Sequence, residues 1–509
     1  MRPAARGPRV GRSEIILAID QGTTGTTVLA FDRNGRLRSR GYAELPQHFP
    51  KPGWVEHRGE EIWGTTLRAL RAALRLLGGG RVNVAGIGIT NQRETTLVWD
   101  RATGKPVAPA IVWQDRRTAD RCAALRRAGK EREIRRRTGL KLDPYFSATK
   151  LEWILRNVAG VSSRARRGSL AFGTVDSWLL WKLTGGRTHA TDATNASRTL
   201  LYDIKRHRWD PGLLRLFGVP ESILPEVRPS IADFGSTQGV PGLTDGIPIR
   251  GVAGDQQAAL FGHGCVDAGG LKNTYGTGCF LLLHTGSKLV PSGSGLLTTI
   301  ACGPRGEPRY ALEGSVFIAG AAIQWLRDGM GVLAGAAESE SVARSVPDAG
   351  GTILVPAFAG LGAPYWEPEA RGIWCGLTRG ATRAHLVRAA LESIAYQSRD
   401  LVETMRRESG VRIPELRVDG GASLNAFLMQ FQADLLGIRI LRPGLAETTA
   451  LGAALLAGIG AGWWKRASDL SAVRRARRVF RPRMSRAGRD RLYSRWKEAI
   501  ALLLGARLS

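Results

Sequence analysis

The sequence predicts an α/β protein built from two copies of one unit that face each other across a cleft. Three observations predict it. The chain has 509 residues, and single cores stop growing near ~250–300 residues. Apolar runs of strand length alternate with helix-period stretches, the pattern of layered α/β units. The order that opens the chain (strand, Gly/Thr turn, strand, crossover helix) begins again near residue 250, which is an internal repeat.

The first copy opens with residues 14–20 (EIILAID) as a buried strand. A Gly/Thr turn follows, then a strand at 28–32 and the hairpin signal Arg33-Asn34-Gly35. Residues 60–77 read as a helix leading to a buried strand at 82–90 (VNVAGIGIT), and 172–183 and 209–217 read as helices. The second copy opens with a strand at 248–253 and a helix at 256–261. Strands at 271–275 and 280–284 are joined by Gly276-Thr277-Gly278. A strand at 416–419 leads through Gly420-Gly421 into a helix from about 425 to 436, and a strand at 438–441 precedes a small-residue helix from 448 to about 458.

Composition narrows the function classes. Apolar residues are 43% and charged residues 23%, ordinary for a folded chain. Five scattered cysteines form no C-x-x-C pair and seven histidines show no H-x-x-x-H spacing, which disfavours a disulfide framework or an imidazole-held metal and fits reduced thiols in a cytoplasm. The longest apolar run, 450–464, is too short to span a bilayer and is broken by Gly452, Gly458, Gly460 and Gly462. The N-terminal arm with Arg2, Arg6, Arg9 and Arg12 reads as a frayed terminus, since the apolar stretch behind it stops at Asp20. The net charge of +29 would suit nucleic acid or an anionic surface. The densest basic stretches, 116–137 and 474–483, lack interleaved aromatics. The arginines are spread along the chain, so nucleic acid is not the expected partner.

Three Gly-rich turns stand out: Asp20 to Thr27 (DQGTTGTT), Tyr275-Gly276-Thr277-Gly278 and Asp419-Gly420-Gly421-Ala422. Glycine lets backbone approach an anion, and successive N–H groups with Thr hydroxyls bind phosphate oxygens. A carboxylate at the end of a strand, Asp20, suits Mg²⁺. No Walker A loop or H-R-D loop is present. Each turn alone also reads as a plain tight turn; together they point to a nucleotide in the cleft. Asn91-Gln92-Arg93-Glu94 and Asp255 follow the ends of two strands, where open α/β sheets bind ligands. On local sequence alone, Asp255 also reads as a helix N-cap. Arg93–Glu94 also reads as a surface ion pair, and Trp113, Tyr145 and Phe280 as core aromatics.

These segments resemble the glycerol-phosphorylating branch of the FGGY carbohydrate kinases. The resemblance is carried by DQGTT at 20–24, GITNQRETT at 88–96, TDATNASRTLL at 191–201 and AGDQQAALFG at 253–262. KNTYGTGCF at 272–280, VPAFAGLGAPYW at 355–366 and RVDGGASLNAFLMQFQADLLG at 417–437 add to it. Both broader signatures of the family match as well, at 145–157 and 372–392. The resemblance implies an actin-like fold of two ribonuclease-H-like domains with an interdomain cleft. These would be 14–262 on the glycerol side and 263–465 on the nucleotide side, with a basic tail at 466–509 packing on them. It implies transfer of a phosphoryl group from ATP to glycerol, giving sn-glycerol 3-phosphate, in a cytoplasmic homodimer or homotetramer. By position, Asp20 would hold Mg²⁺, and Thr23, Thr24, Gly25 and Thr277 would meet the phosphates. Gly320, Gln324, Gly421 and Asn425 would line the nucleotide pocket. Arg93, Glu94, Tyr145, Asp255 and Gln256 would bind glycerol hydroxyls between walls of Trp113 and Phe280, with Asp255 as the base.

Two departures from the family pattern carry expectations. Relatives place an Arg after the first turn where this chain has Gly25-Thr26-Thr27, so phosphate contacts should differ. The stretch 239–246 ends in Gly246 where members that bind fructose 1,6-bisphosphate have Arg, and no His lies between His207 and His263 to be a phosphorylated regulatory residue. Neither control is expected. A pentulose or other polyol kinase is the nearest alternative; a non-catalytic actin-like protein would have lost Asp20 or Asp255, and both are present.

Overall fold

The computed structural model describes residues 14–77, 82–445, 447–470 and 476–505. The arginine arm before residue 14 and part of the basic stretch at 474–483 lie outside the described residues. The run Ile15–Ile19 is buried along its whole length, as expected of a strand covered on both faces. It forms β1 (Glu14–Gln21), which pairs antiparallel with β2 (Gly25–Phe31), and β2 with β3 (Leu37–Glu44). Helix α1 (Gly59–Leu76) crosses to β4 (Asn83–Asn91), parallel to β1, and β5 (Ile249–Gly254) lies parallel to β4. The sheet order is therefore β3-β2-β1-β4-β5.

The second copy repeats it. From α2 (Asp255–Gly262) the chain enters β6 (Leu271–Tyr275), β7 (Cys279–Gly286), β8 (Leu297–Cys302) and β9 (Pro308–Val316). Helices α3 (Gly320–Asp328) and α4 (Arg383–Ser409) lead to β10 (Glu415–Asp419), α5 (Ala426–Leu436) and β11 (Arg439–Pro443). Antiparallel β9-β7-β6 followed by parallel β10 and β11 is the order of the first sheet. Strand β8 is added at one edge and β12 (Ala476–Phe480) at the other. Both units are thus ribonuclease-H-like, and the fold is actin-like.

Helix α6 (Thr448–Gly460) belongs by sequence to the second unit but lies against the first sheet and α2. Small residues make this possible. A Cβ on Gly452 would sit 1.9 Å from the Ala258 carbonyl oxygen, and one on Gly88 2.1 Å from that of Ala453. Residues between β4 and β5 form a cap with its own core around Leu142, Phe146, Leu151, Phe172 and Leu213. Helix α7 (Arg486–Gly505) buries Trp496, Ile500 and Leu503 against α4 and α5. In the stretch 116–137, Arg116, Arg117, Arg121, Arg126 and Arg137 all face carboxylates.

Three sequence expectations need correction. The strand at 248–253, expected to open the second copy, is β5 and belongs to the first sheet, so the second sheet begins at Leu271. Residues Leu170–Gly173 form a strand paired with Leu97–Asp100, and the helix begins only at Val175. Partnering of Phe172 with Val98 overrides the helical period. Trp209 likewise lies in a strand opposite Tyr202. The helix there starts at Pro211 behind the cap Asp210, whose carboxylate accepts from the Leu213 N–H at 2.9 Å, a Pro-at-N1 start. Among the described residues no helix is long and apolar enough to cross a membrane.

Candidate active site

Three parallel strands of the first sheet end at one level, since Asp20 is opposite Thr90 and Thr90 opposite Ala253. The residues just beyond them converge. Asp20 closes β1, Arg93 and Glu94 follow β4, and Asp255 begins α2. Asp255 is not the N-cap of that helix; Gly254 is, and Asp255 stands at the first helical position. Its Oδ1 accepts from the Gln256 N–H at 2.7 Å and lies 3.2 Å from Arg93 Nε. About a third of its side chain, 32%, is exposed, so the carboxylate can be reached.

Arg93 and Glu94 are not a surface pair, being 3% and 1% exposed. Arg93 spends the two terminal nitrogens of its guanidinium on four hydrogen bonds to three residues. It donates through Nη1 to Glu313 Oε2 (2.6 Å) and Gln257 Oε1 (3.3 Å), and through Nη2 to Glu313 Oε1 (3.2 Å) and the Tyr145 hydroxyl (3.4 Å). Glu94 is held with φ of +61°, costly for a residue with a Cβ. Its carbonyl accepts from the Ser147 and Thr96 hydroxyls, and its carboxylate from Arg198 Nε at 2.6 Å. Trp113 stands edge-on to Tyr145, ring centroids 5.6 Å apart, and donates from Nε1 to the Thr23 hydroxyl at 2.9 Å. Trp113, Tyr145 and Phe280 are half-buried rather than core residues. The Gln256 side-chain oxygen accepts from Lys272 Nζ.

The Gly/Thr turns close on the other side. Thr23 and Thr24 form the tip between β1 and β2, with the Gly22 N–H bonded to the Gly25 carbonyl (2.9 Å). In the second unit the Gly276 N–H bonds the Gly278 carbonyl (2.8 Å). The Thr277 carbonyl accepts from Ala319 and Ala321, and the Gly276 carbonyl from Gly320. Thr277 and Gly320 are thus brought together, with Gln324 exposed one turn along α3. Gly420, at φ +82°, packs its Cα against Tyr275, so Gly421 stands beside the same turn. Helix α5 begins where the sequence places it, behind Asn425. A 3₁₀ turn (Gly421–Leu424) intervenes, and Asn425 caps α5 by accepting from Leu428 N–H while donating to the Ser339 hydroxyl.

Burial and charge set the protonation of these groups. Burial, then the nearby Asp255, pushes Asp20 up to about 7. Burial also raises Asp255 and Glu94, against the pull of Arg93 on the first and of Arg93 and Arg198 on the second. Burial opposes the Glu313 charge too, yet Arg198 and Arg93 hold it at about 2. Burial brings Lys272 down to about 8. A repelled pair of carboxylates, Asp20 and Asp255, is the donor set of a hard cation that keeps most of its waters and meets phosphate oxygens. Among the described residues no group of three His, Cys, Asp or Glu forms a metal cage. Glu313, Arg198, Gln257 and Lys272 went unnoticed in the sequence; the only signal was a charged residue inside an apolar strand, as at Glu313 and Lys272.

Comparison with known proteins bears on what binds here. Residues 15–262 match the N-terminal domain of the FGGY family of carbohydrate kinases, and residues 271–461 match its C-terminal domain. The chain is 55% identical over 489 residues to a glycerol kinase of Deinococcus radiodurans, covering 96% of this chain and 97% of that one. It is 54% identical over 491 residues to glycerol kinase 2 of Thermotoga maritima, covering 96% and 99%. The crystal structure of Plasmodium falciparum glycerol kinase with ADP superposes with a TM-score of 0.94 at 36% identity, covering 98% of this chain and 100% of that chain.

Proposed function

The chain belongs to the FGGY family of carbohydrate kinases, and from that premise we propose that it transfers the terminal phosphoryl group of ATP to glycerol. The observation that carries this reading is the buried polar set beyond β1, β4 and β5, in which Arg93, Glu94, Tyr145 and Asp255 converge behind Trp113. A triol offers little apolar surface, so its selection rests on directed hydrogen bonds. A site built to make them rejects molecules that leave them unpaired. Trp113 and Phe280 supply the apolar walls and leave little room for a longer sugar.

Phosphoryl transfer depends on positioning and charge neutralisation more than on covalent chemistry. Arg93, Glu94, Tyr145 and Gln256 orient the triol. Asp255, with its affinity for a proton raised by burial, takes the proton of the attacking hydroxyl. The turns at Thr23–Gly25 and Thr277 carry the phosphates through backbone N–H and hydroxyl groups. Gly320, Gln324, Gly421 and Asn425 line the nucleotide. Mg²⁺, when bound, neutralises phosphate charge, and Asp20 would hold it directly or through water. Closure of the two units over the cleft excludes water as a rival acceptor. The product is sn-glycerol 3-phosphate, and the same reading makes the enzyme a cytoplasmic homo-oligomer.

The test is ADP release from MgATP with glycerol, xylulose, ribulose and erythritol, beside Asp255→Asn. Glycerol turnover that drops by about 100-fold or more in the variant, with its melting temperature retained, is the expected result. Turnover on a longer polyol alone would keep the mechanism and replace the substrate.

A further inference from the structure

Four buried charges alternate in a closed square behind the acceptor pocket. Arg93 meets Glu313 (2.6 and 3.2 Å), Glu313 meets Arg198 (2.9 Å) and Arg198 meets Glu94 (2.6 Å). Glu94 returns to Arg93 Nε at 3.7 Å. Each of the four side chains is at most 2% exposed. Two corners, Arg93 and Glu94, are the glycerol ligands of the reading above, on which this inference rests. The other two were assigned no part in it.

The square crosses between the units. Arg93, Glu94 and Arg198 come from the first unit; Glu313 stands on β9 of the second. The strand ends at Val316, and three residues later the chain reaches Ala319 and Gly320, which bond to the Thr277 turn. It also pairs with β7, Leu282 opposite Glu313 and Phe280 opposite Ser315. One side chain of the nucleotide unit therefore fixes the arginine that receives the acceptor.

A general interface role is the competing explanation, and the seam between the units argues against it. Neutral bonds already join them: Ser197 to Thr299 (3.0 Å), Gln257 Nε2 to Thr299 (3.2 Å), the Tyr310 hydroxyl to the Ile204 carbonyl (3.0 Å), and Thr298 N–H to the Gly139 carbonyl (3.0 Å). Docking does not need four desolvated charges, which cost more than well-packed apolar residues in the same place. Arg198 even leaves its buried Nη1 without a partner. What the square does supply is a fixed spacing of Arg93 and Glu94. Each arginine is pinned by its planar fork, and Glu94 is kept in its left-handed backbone conformation.

We propose that Glu313 and Arg198 are positioning residues of the acceptor pocket, holding Arg93 and Glu94 in register so that the pocket is complete only with β9 of the nucleotide unit docked. Neither touches the reacting atoms. Their loss should therefore act through binding of the acceptor and spare the nucleotide.

The experiment uses the full-length enzyme, with glycerol and MgATP varied separately, for Glu313→Gln and for the charge-balanced pair Arg198→Gln/Glu313→Gln. The pair keeps the enzyme folded if the single variant cannot, because it removes one charge of each sign. The KM for glycerol is expected to rise about 30-fold or more, the scale of breaking a buried hydrogen-bonded charge pair. The KM for ATP should move by less than about threefold. In an Arg93→Lys background, adding Glu313→Gln should change the glycerol KM little, because the residue it positions is already altered. Three results overturn the proposal: a glycerol KM that stays put, a rise of both KM values together, or full additivity with Arg93→Lys. Wild-type turnover run alongside separates these from a failure of the functional reading, since an enzyme inactive on glycerol overturns both.

Discussion

The proposed acceptor side and the proposed nucleotide side of the cleft are built by opposite means. Around Arg93 the recognising atoms are side chains, buried, charged and bonded on nearly every corner. Around Thr277 they are mainly backbone, with threonine hydroxyls beside them. Thr24, Thr277, Gln324 and Gly421 are exposed, and the turn is shaped by hydrogen bonds between main-chain groups of Gly276, Thr277, Gly320 and Ala321. The difference follows from the ligands. A small neutral triol is told from water and from other polyols only by groups that suffer when left unpaired. A polyphosphate brings its own charge, and N–H groups at glycine turns suffice to receive it.

Substitutions should expose this division. The largest effect is expected at Arg93→Ala, which strips Glu313, Asp255 and Tyr145 of a shared partner at once. Loss of one side of a buried charged contact costs ~2–5 kcal/mol. The kcat/KM for glycerol should thus fall about 100-fold or more with little change in the KM for ATP. Equal losses for both substrates would mean the acceptor side is not a separate site. On the nucleotide side a side-chain deletion should do little and an added methyl much. A Cβ on Gly320 would stand 2.5 Å from the Gly276 carbonyl oxygen, so Gly320→Ala must push the Thr277 turn aside. Overpacking of this kind costs ~1–3 kcal/mol, and the KM for ATP should rise about tenfold while that for glycerol holds. An ATP KM unchanged in Gly320→Ala would show that backbone shape is not what receives the nucleotide.

The sheets were legible in the sequence because their strands are unbroken apolar runs, such as residues 15–19 and 87–89, bounded by Gly/Thr turns. The parts that escaped are those decided by a distant partner. Phe172 became a strand residue because Val98 lies beside it, and the 3₁₀ turn after Gly421 has no period to read. Glu313 is 220 residues from Arg93, and nothing near residue 313 announces that an arginine waits there. The same holds for Arg198, which meets Glu94 and Glu313 at once. The family resemblance supplied candidate ligands at single positions; it could not supply the bonds that hold them still.

A smaller effect probes what stands behind the acceptor side. His57 is fully buried, its Nε2 3.0 Å from Gln47 Oε1 and its Nδ1 3.4 Å from Gln92 Nε2. Gln47 in turn donates to the Thr23 carbonyl at 2.7 Å, so the imidazole supports both the first turn and the segment that carries Arg93. Burial, then His48, brings its pKa down to about 4, and burial does the same to His189 and His284. An imidazole titrates near ~6.5 in the unfolded chain, so between these values the unfolded state binds more protons. The stability that neutral imidazoles contribute is therefore complete above ~6.5 and is lost as pH falls toward 4, by up to ~1.4 kcal/mol per pH unit for each. Asp20 and Asp176, pushed up to about 7 by burial, take up protons in the folded state over the same window and oppose this loss, so the imidazole is read from the difference between wild type and variant. His57→Gln, which keeps a polar group for Gln47 and Gln92 but cannot titrate, should lose less melting temperature, relative to wild type, on going from about pH 6.5 to about pH 4. An unchanged loss would mean that His57 is solvated in the folded protein, and the acceptor side less tightly backed than its bonding implies.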